Sequence, residues 1–143
     1  MTARIANVTF HAENPVALSR FWSALMGYPE FTGWEDDEIA ALREAGMSEE
    51  EIADRSEAWD GDRAHQRLYF SRYRHGKRQR NRVHLDITPF GDRRATRDEL
   101  EAERDRLVAL GATEEKTLSG FWGPYEEFVI MMRDPEGNEF CLQ

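Results

Sequence analysis

The chain has 143 residues, with 19 Lys and Arg against 28 Asp and Glu, a formal net charge of −9. That length suits one domain of ordinary size or two small modules sharing a core, and a 40% apolar, 11% aromatic content excludes wholesale disorder. The acidic balance argues against a dedicated binder of nucleic acid or anionic membranes. The single cysteine, Cys141, has no partner for an internal disulfide. The opening MTARIANVTFHAEN carries no apolar signal-peptide core, and no run of about 20 apolar residues follows. The expectation is a soluble cytoplasmic protein without a membrane partner.

Arg4 to Ala12 alternates, with Ala6, Val8 and Phe10 on one side and Asn7, Thr9 and His11 on the other, the pattern of a half-buried strand. Asn14-Pro15 is a helix cap followed by proline at the first helical position. Leu18, Phe21, Trp22 and Leu25 then form one apolar helix face, and Gly27 ends it. Tyr28 to Trp34 reads as a short edge strand.

Residues 35–62 change character. Their acidic residues cluster, and a short helix is expected through Ile39 and Leu42, stopping at Gly46. Ser48 with Glu51 is a capping box for a second helix that ends before Trp59. The whole stretch reads as an acidic helical insertion on the surface, with a ligand-covering lid as the sharper alternative.

Gln66 to Tyr73 alternates again, and His75-Gly76 is a turn signal. The run KRQRNR from Lys77 to Arg82 invites a nucleic-acid reading, but it is short and the rest of the chain is acidic, so no nucleic-acid partner is expected. Val83 to Thr88 is a strand with His84, Asp86 and Thr88 on one face. Thr96 with Glu99 is another capping box, opening an amphipathic helix that stops at Gly111. Thr113 to Leu118 is a short strand, and SGFWGPYEE reads as an aromatic loop hinged at Gly120 and Gly123. Phe128 to Arg133 is an apolar strand, Asp134-Pro135-Glu136-Gly137 a tight turn, and Asn138 to Gln143 the last strand.

The order strand, helix, then about three strands occurs twice. Asn7-Val8-Thr9-Phe10 aligns with His84-Leu85-Asp86-Ile87, and Gly27 with Gly111. The fold expected is α+β: two βαβββ modules, 1–80 and 81–143, forming a curved mixed sheet around a shared cleft within one domain. With NVTFHAENPVALSRFWSALMG, NRVHLDI and LGAT…MRDPEGNEFCLQ in these places, the chain resembles the vicinal oxygen chelate superfamily, which holds glyoxalase I, extradiol dioxygenases and bleomycin-resistance proteins. It is most similar to the glyoxalase-like domains of uncharacterised bacterial proteins.

The resemblance implies metal ligands on the first and last strands of each module. Those positions hold Asn7, Ser71, His84 and Cys141. Only His84 is a standard ligand in its usual place. Asn7 stands where histidine is common, and Cys141 where a glutamate normally closes the site. A divalent site needs about three protein ligands, and thiolate favours soft metals. A rearranged set would join His84 to Glu139, with Asp86 or His11 as the third donor. A Cys141–His84 nucleophilic pair is a further alternative.

No Gly-flanked nucleophilic serine and no phosphate loop occurs. The expected ligand-binding residues are Asn7, Thr9, His11, Tyr69, Ser71, His84, Asp86, Trp122 and Cys141, with Trp22, Phe121 and Tyr125 as further walls. No catalytic residue is assigned. The reading preferred is a small-molecule-binding protein with a degenerate metal site and no cofactor, sequestering its ligand as bleomycin-resistance proteins do. The alternative is a metal-dependent lyase, isomerase or dioxygenase holding a divalent ion. Edge strands offer surfaces for a homodimer.

Overall fold

Asn14 and Pro15 start the first helix as their chemistry requires. In the computed structural model, which describes residues 3–29, 34–62 and 64–143, the Asn14 side chain accepts from the Ala17 N–H and Pro15 opens α1 (Pro15–Met26). Gly27 closes it at φ 68°, a left-handed conformation that glycine adopts without strain. Leu18, Phe21, Trp22 and Leu25 are all buried, so the expected apolar face is the packing face.

The chain divides into two compact units, Met1–Gly76 and Lys77–Gln143. In the first, β1 (Val8–Ala12) pairs in parallel with β3 (Leu68–Arg72), and β2 (Arg55–Ala58) pairs antiparallel on the other side of β3. Helix α1 packs on β2 and β3. Its Trp22 ring lies 4.9 Å from Phe10, which stacks on Phe70 at 5.2 Å, forming the aromatic centre of this unit. The buried hydroxyls of Ser19 and Ser56 satisfy each other at 2.6 Å. The edge strand expected at Tyr28 to Trp34 includes residues 30–33, which lie outside the described residues.

The insertion is helical only as far as Ile52. Helix α2 (Asp36–Glu44) buries no residue and has three acids in its first turn; α3 (Glu49–Ile52) is one turn capped by Ser48 and Glu51. From Arg55 the chain is strand, not helix. Ser56 and Ala58 are fully buried against the sheet while Arg55 stays exposed. The sequence RSEA has no β-branched or aromatic residue, so tertiary packing rather than propensity makes this strand.

The second unit contains β4 (Leu85–Ile87), α4 (Arg97–Ala109), β5 (Thr113–Trp122), β6 (Tyr125–Arg133) and β7 (Glu139–Leu142), with sheet order β4-β7-β6-β5. First and last strands are parallel neighbours here, as in the first unit. Thr96 and Glu99 form both bonds of the capping box. The aromatic segment expected as a hinged loop is instead a hairpin. Phe121 pairs with Glu126 and Trp122 with Tyr125, leaving only Gly123 and Pro124 as the turn. Gly123 has φ 59°, the sign a two-residue hairpin turn needs at its first central position, and the fixed φ of proline suits the second. Among the described residues, no helix is long and apolar enough to cross a membrane.

Candidate functional site

The second unit brings three of the expected residues together. In the β4–β7 ladder Asp86 lies opposite Cys141, and alternation puts His84 on the same face as Asp86. The His84 Nε2 and Asp86 Oδ1 atoms are 3.2 Å apart, and both side chains are about half exposed. One donor atom from each of His84, Asp86 and Cys141 fits within a 4.8 Å span. Among the described residues no other set of three His, Cys, Asp or Glu donors converges this way. Cys141 is buried, and its thiol is pushed up, first by burial and then by the Asp86 charge and a hydrogen bond to that carboxylate. The resting cluster is therefore a thiol and a carboxylate beside an imidazole, not a preformed thiolate.

Glu139, expected to join His84 as a ligand, is engaged elsewhere. Its buried carboxylate accepts from Lys77 Nζ and from the Asn81 backbone N–H, each at 2.9 Å, with Arg133 at 3.4 Å. Burial alone would raise its pKa, but the Asn81 and Lys77 bonds outweigh that and hold it below the ordinary carboxylate range. Asp86, weighed only as a third donor, is the carboxylate beside His84. The basic run, meanwhile, faces its own unit: Lys77 meets Glu139 and Arg80 meets Glu115.

The first unit's candidates form no comparable cluster among the described residues. The Asn7 amide donates to Thr9 Oγ1 at 2.8 Å, and both residues are exposed. His11 sits 5.3 Å from the Tyr73 ring and opposite Ser71 in the β1–β3 ladder. The pair matching Asp86–Cys141 in register is Thr9–Tyr69, so Tyr69, not Ser71, stands at the Cys141-equivalent position. Tyr69 flanks Arg67, whose guanidinium lies between it and Trp59 at 5.7 and 5.6 Å. Trp22 is 1% exposed and belongs to the core, not to a pocket wall. Trp122 stacks on Tyr125 at the hairpin tip, on the edge strand farthest from β4.

A cavity of about 400 Å³ opens at the end of the second unit's sheet, lined by Thr88, Phe90, Arg93, Arg94, Glu127, Phe128, Val129 and Gln143 together with Gly91. Thr88 and Gln143 lie two positions beyond Asp86 and Cys141, and the Gln143 N–H extends the ladder by donating to Ile87 O at 3.0 Å. Sequence reading singled out none of the β4–α4 residues in this wall. The available signal was the string PFGDRR, which sets one aromatic beside two arginines directly after a strand carrying His84 and Asp86.

Two α+β units, each with a parallel pair of first and last strands and one carrying a His–Asp–Cys cluster on that pair, define a two-module α+β protein; among the described residues the second unit is a full βαβββ module and the first has three strands. The family model described as "Glyoxalase-like domain" matches residues 7–143. The chain belongs to that family, within the vicinal oxygen chelate superfamily. A glyoxalase/bleomycin resistance protein/dioxygenase family enzyme from Burkholderia phytofirmans PsJN aligns over 98% of this chain and 97% of its own, with a TM-score of 0.64 at 17% identity. The fosfomycin resistance protein FosX from Listeria monocytogenes, as an E126Q mutant complexed with Mn(II) and 1S,2S-dihydroxypropylphosphonic acid, covers 100% and 90% at 0.59 and 12%. Lactoylglutathione lyase from Agrobacterium tumefaciens covers 99% and 92% at 0.54 and 15%. At these identities the likeness is one of fold. No protein of curated function matches the sequence as a relative.

Proposed function

We propose that this protein binds a small organic molecule on the second unit's sheet, at a site where a convergent His84–Asp86–Cys141 cluster stands in place of the metal centre of its relatives. The observation that carries this reading is the donor set: one half-exposed imidazole, one half-exposed carboxylate and one buried thiol, while the nearby Glu139 carboxylate is held by Lys77 and the Asn81 N–H. The donor set does not suit the hard ions that oxygen-rich sites hold, such as the Mn(II) named with the Listeria protein. No reaction step is assigned to a metal. The half-exposed imidazole and carboxylate serve instead as hydrogen-bonding groups for a ligand.

One observation favours a second reading, a metal-dependent lyase, isomerase or dioxygenase: the three donor atoms already lie within 4.8 Å. Elemental analysis of protein purified without chelator separates the two. The binding reading expects far less than one metal per chain, unchanged in His84→Ala. It also expects amide NMR shifts around His84, Asp86 and Cys141 from members of a small-molecule fragment set. Near-stoichiometric metal that disappears in His84→Ala would overturn it.

A further inference from the structure

The cavity beside the cluster constrains the chemistry of its ligand, given the small-molecule-binding reading on which this inference rests. Four cationic and aromatic side chains around it are already engaged with each other. Arg93 forks onto Glu99 at 2.7 and 2.9 Å and covers the Phe90 ring at 3.8 Å. Arg97 pairs with Glu126 and lies 5.0 Å from Phe128. Arg94 differs. Its Nη2 donates to the Glu126 backbone carbonyl at 3.0 Å, which orients the guanidinium without neutralising it. No carboxylate among the described residues pairs with it. An arginine held in place at a cavity wall, with its charge uncompensated, is a receptor for a planar anionic group, because its fork of N–H donors matches a carboxylate.

The rest of the wall narrows the class. Phe90, Phe128 and Val129 offer an apolar body-sized surface, and about 400 Å³ lies within the range of small-ligand pockets. Glu127 lines the same cavity and opposes a second negative charge. We infer that this cavity takes an organic monoanion with a planar apolar body, an aryl carboxylate in chemical class, with its carboxylate on Arg94. The chain's −9 charge points the other way, toward a cation, but it is a property of the whole molecule, whereas Arg94 acts within hydrogen-bond distance.

The test uses the full ¹⁵N-labelled chain and four probes of one shape: 2-naphthoate, 2-naphthalenemethanol, 2-naphthylmethylammonium and naphthalene-2,6-dicarboxylate. Naphthoate is expected to shift the amides of Thr88, Arg93, Arg94, Val129 and Gln143 and to bind about tenfold more tightly than the other three. Arg94→Gln is expected to lose about tenfold for naphthoate alone. Arg94→Lys, which keeps the charge and loses the fork, is expected to fall between. Equal affinity in Arg94→Gln, a preference for the ammonium probe, or shifts confined to other residues would overturn the inference. Fragments that shift only the His84 neighbourhood would overturn it and leave the binding reading standing. Absence of binding by any probe or fragment would overturn both.

Discussion

Glu139→Gln removes one charge and leaves the side-chain shape nearly unchanged. The native carboxylate accepts two bonds at 2.9 Å, from Lys77 Nζ and the Asn81 N–H, while being 5% exposed. A hydrogen bond to a charged group contributes about 1.5–3 kcal/mol. Glutamine keeps one acceptor oxygen, so one bond survives in weaker neutral form. Its NH2 group is turned toward the other donor. Burial penalises an amide less than a carboxylate, which trims the loss. The net expectation is about 2–3 kcal/mol at pH 7, or about 1–2 M in urea midpoint, followed by far-UV circular dichroism. The pH dependence fixes the sign. A carboxyl group with a lowered folded pKa adds stability that is present above its ordinary value of 4.5 and disappears as pH falls below it. The gap between wild type and variant should therefore narrow on acidification from about pH 4.5. A negligible midpoint change, a gap that widens in acid, or a loss seen only with divalent metal present would refute the anchoring role and restore Glu139 as a candidate ligand.

Four further outcomes are expected. Asp86→Asn should lower the Cys141 thiol pKa, so iodoacetamide labelling at pH 8, read by intact mass, should rise several-fold; an unchanged or slower rate would contradict the Asp86 contact. Thr96→Ala should cost about 1 kcal/mol in urea unfolding through loss of the α4 cap, and an unchanged midpoint would deny the cap its role. Glu99, held down to about 2 by Arg93 and the Thr96 N–H, should make Glu99→Gln destabilising at neutral pH, with the difference fading between its ordinary 4.5 and about 2; a pH-independent loss would argue against the ion pair. Gly27→Ala meets no atom within 4 Å, so its cost of about 1 kcal/mol in the same unfolding assay would be purely backbone strain at φ 68°, and a stabilised variant would show that reasoning false.

Local signals were legible where one residue type had one structural use. Asn14, Pro15 and Gly27 bounded α1, and the capping boxes at Ser48 and Thr96 opened α3 and α4, because caps are set by side-chain bonds a few residues apart. The repeat was read from strand alternation, but the parallel pairing that brings the His84 segment beside Cys141 was not. Strand β2 was hidden because burial of Ser56 and Ala58 depends on α1 and β3, not on local propensity. The two strands of the β5–β6 hairpin were legible at their inner ends, but residues 119–122 and 125–127 read as a loop because they are exposed and rich in glycine and aromatics, so no alternation marks them. The choice of Asp86 over Glu139 depended on where Lys77 and the Asn81 N–H point, which strand alternation does not encode.

Parallel pairing of first and last strands also sets an order of assembly. β4 has β7 as its sheet neighbour, and that partner lies beyond α4 and the β5–β6 hairpin in the chain. On the ribosome the hairpin closes from adjacent residues, while the His84 strand waits for β7 to emerge after α4 and the hairpin. The cluster of His84, Asp86 and Cys141 is thus assembled in the last step of this unit's closure, and slow or failed docking of β7 would leave a chain with native helix and hairpin signals but no ligand site. A time-resolved experiment would see secondary structure arrive before binding competence.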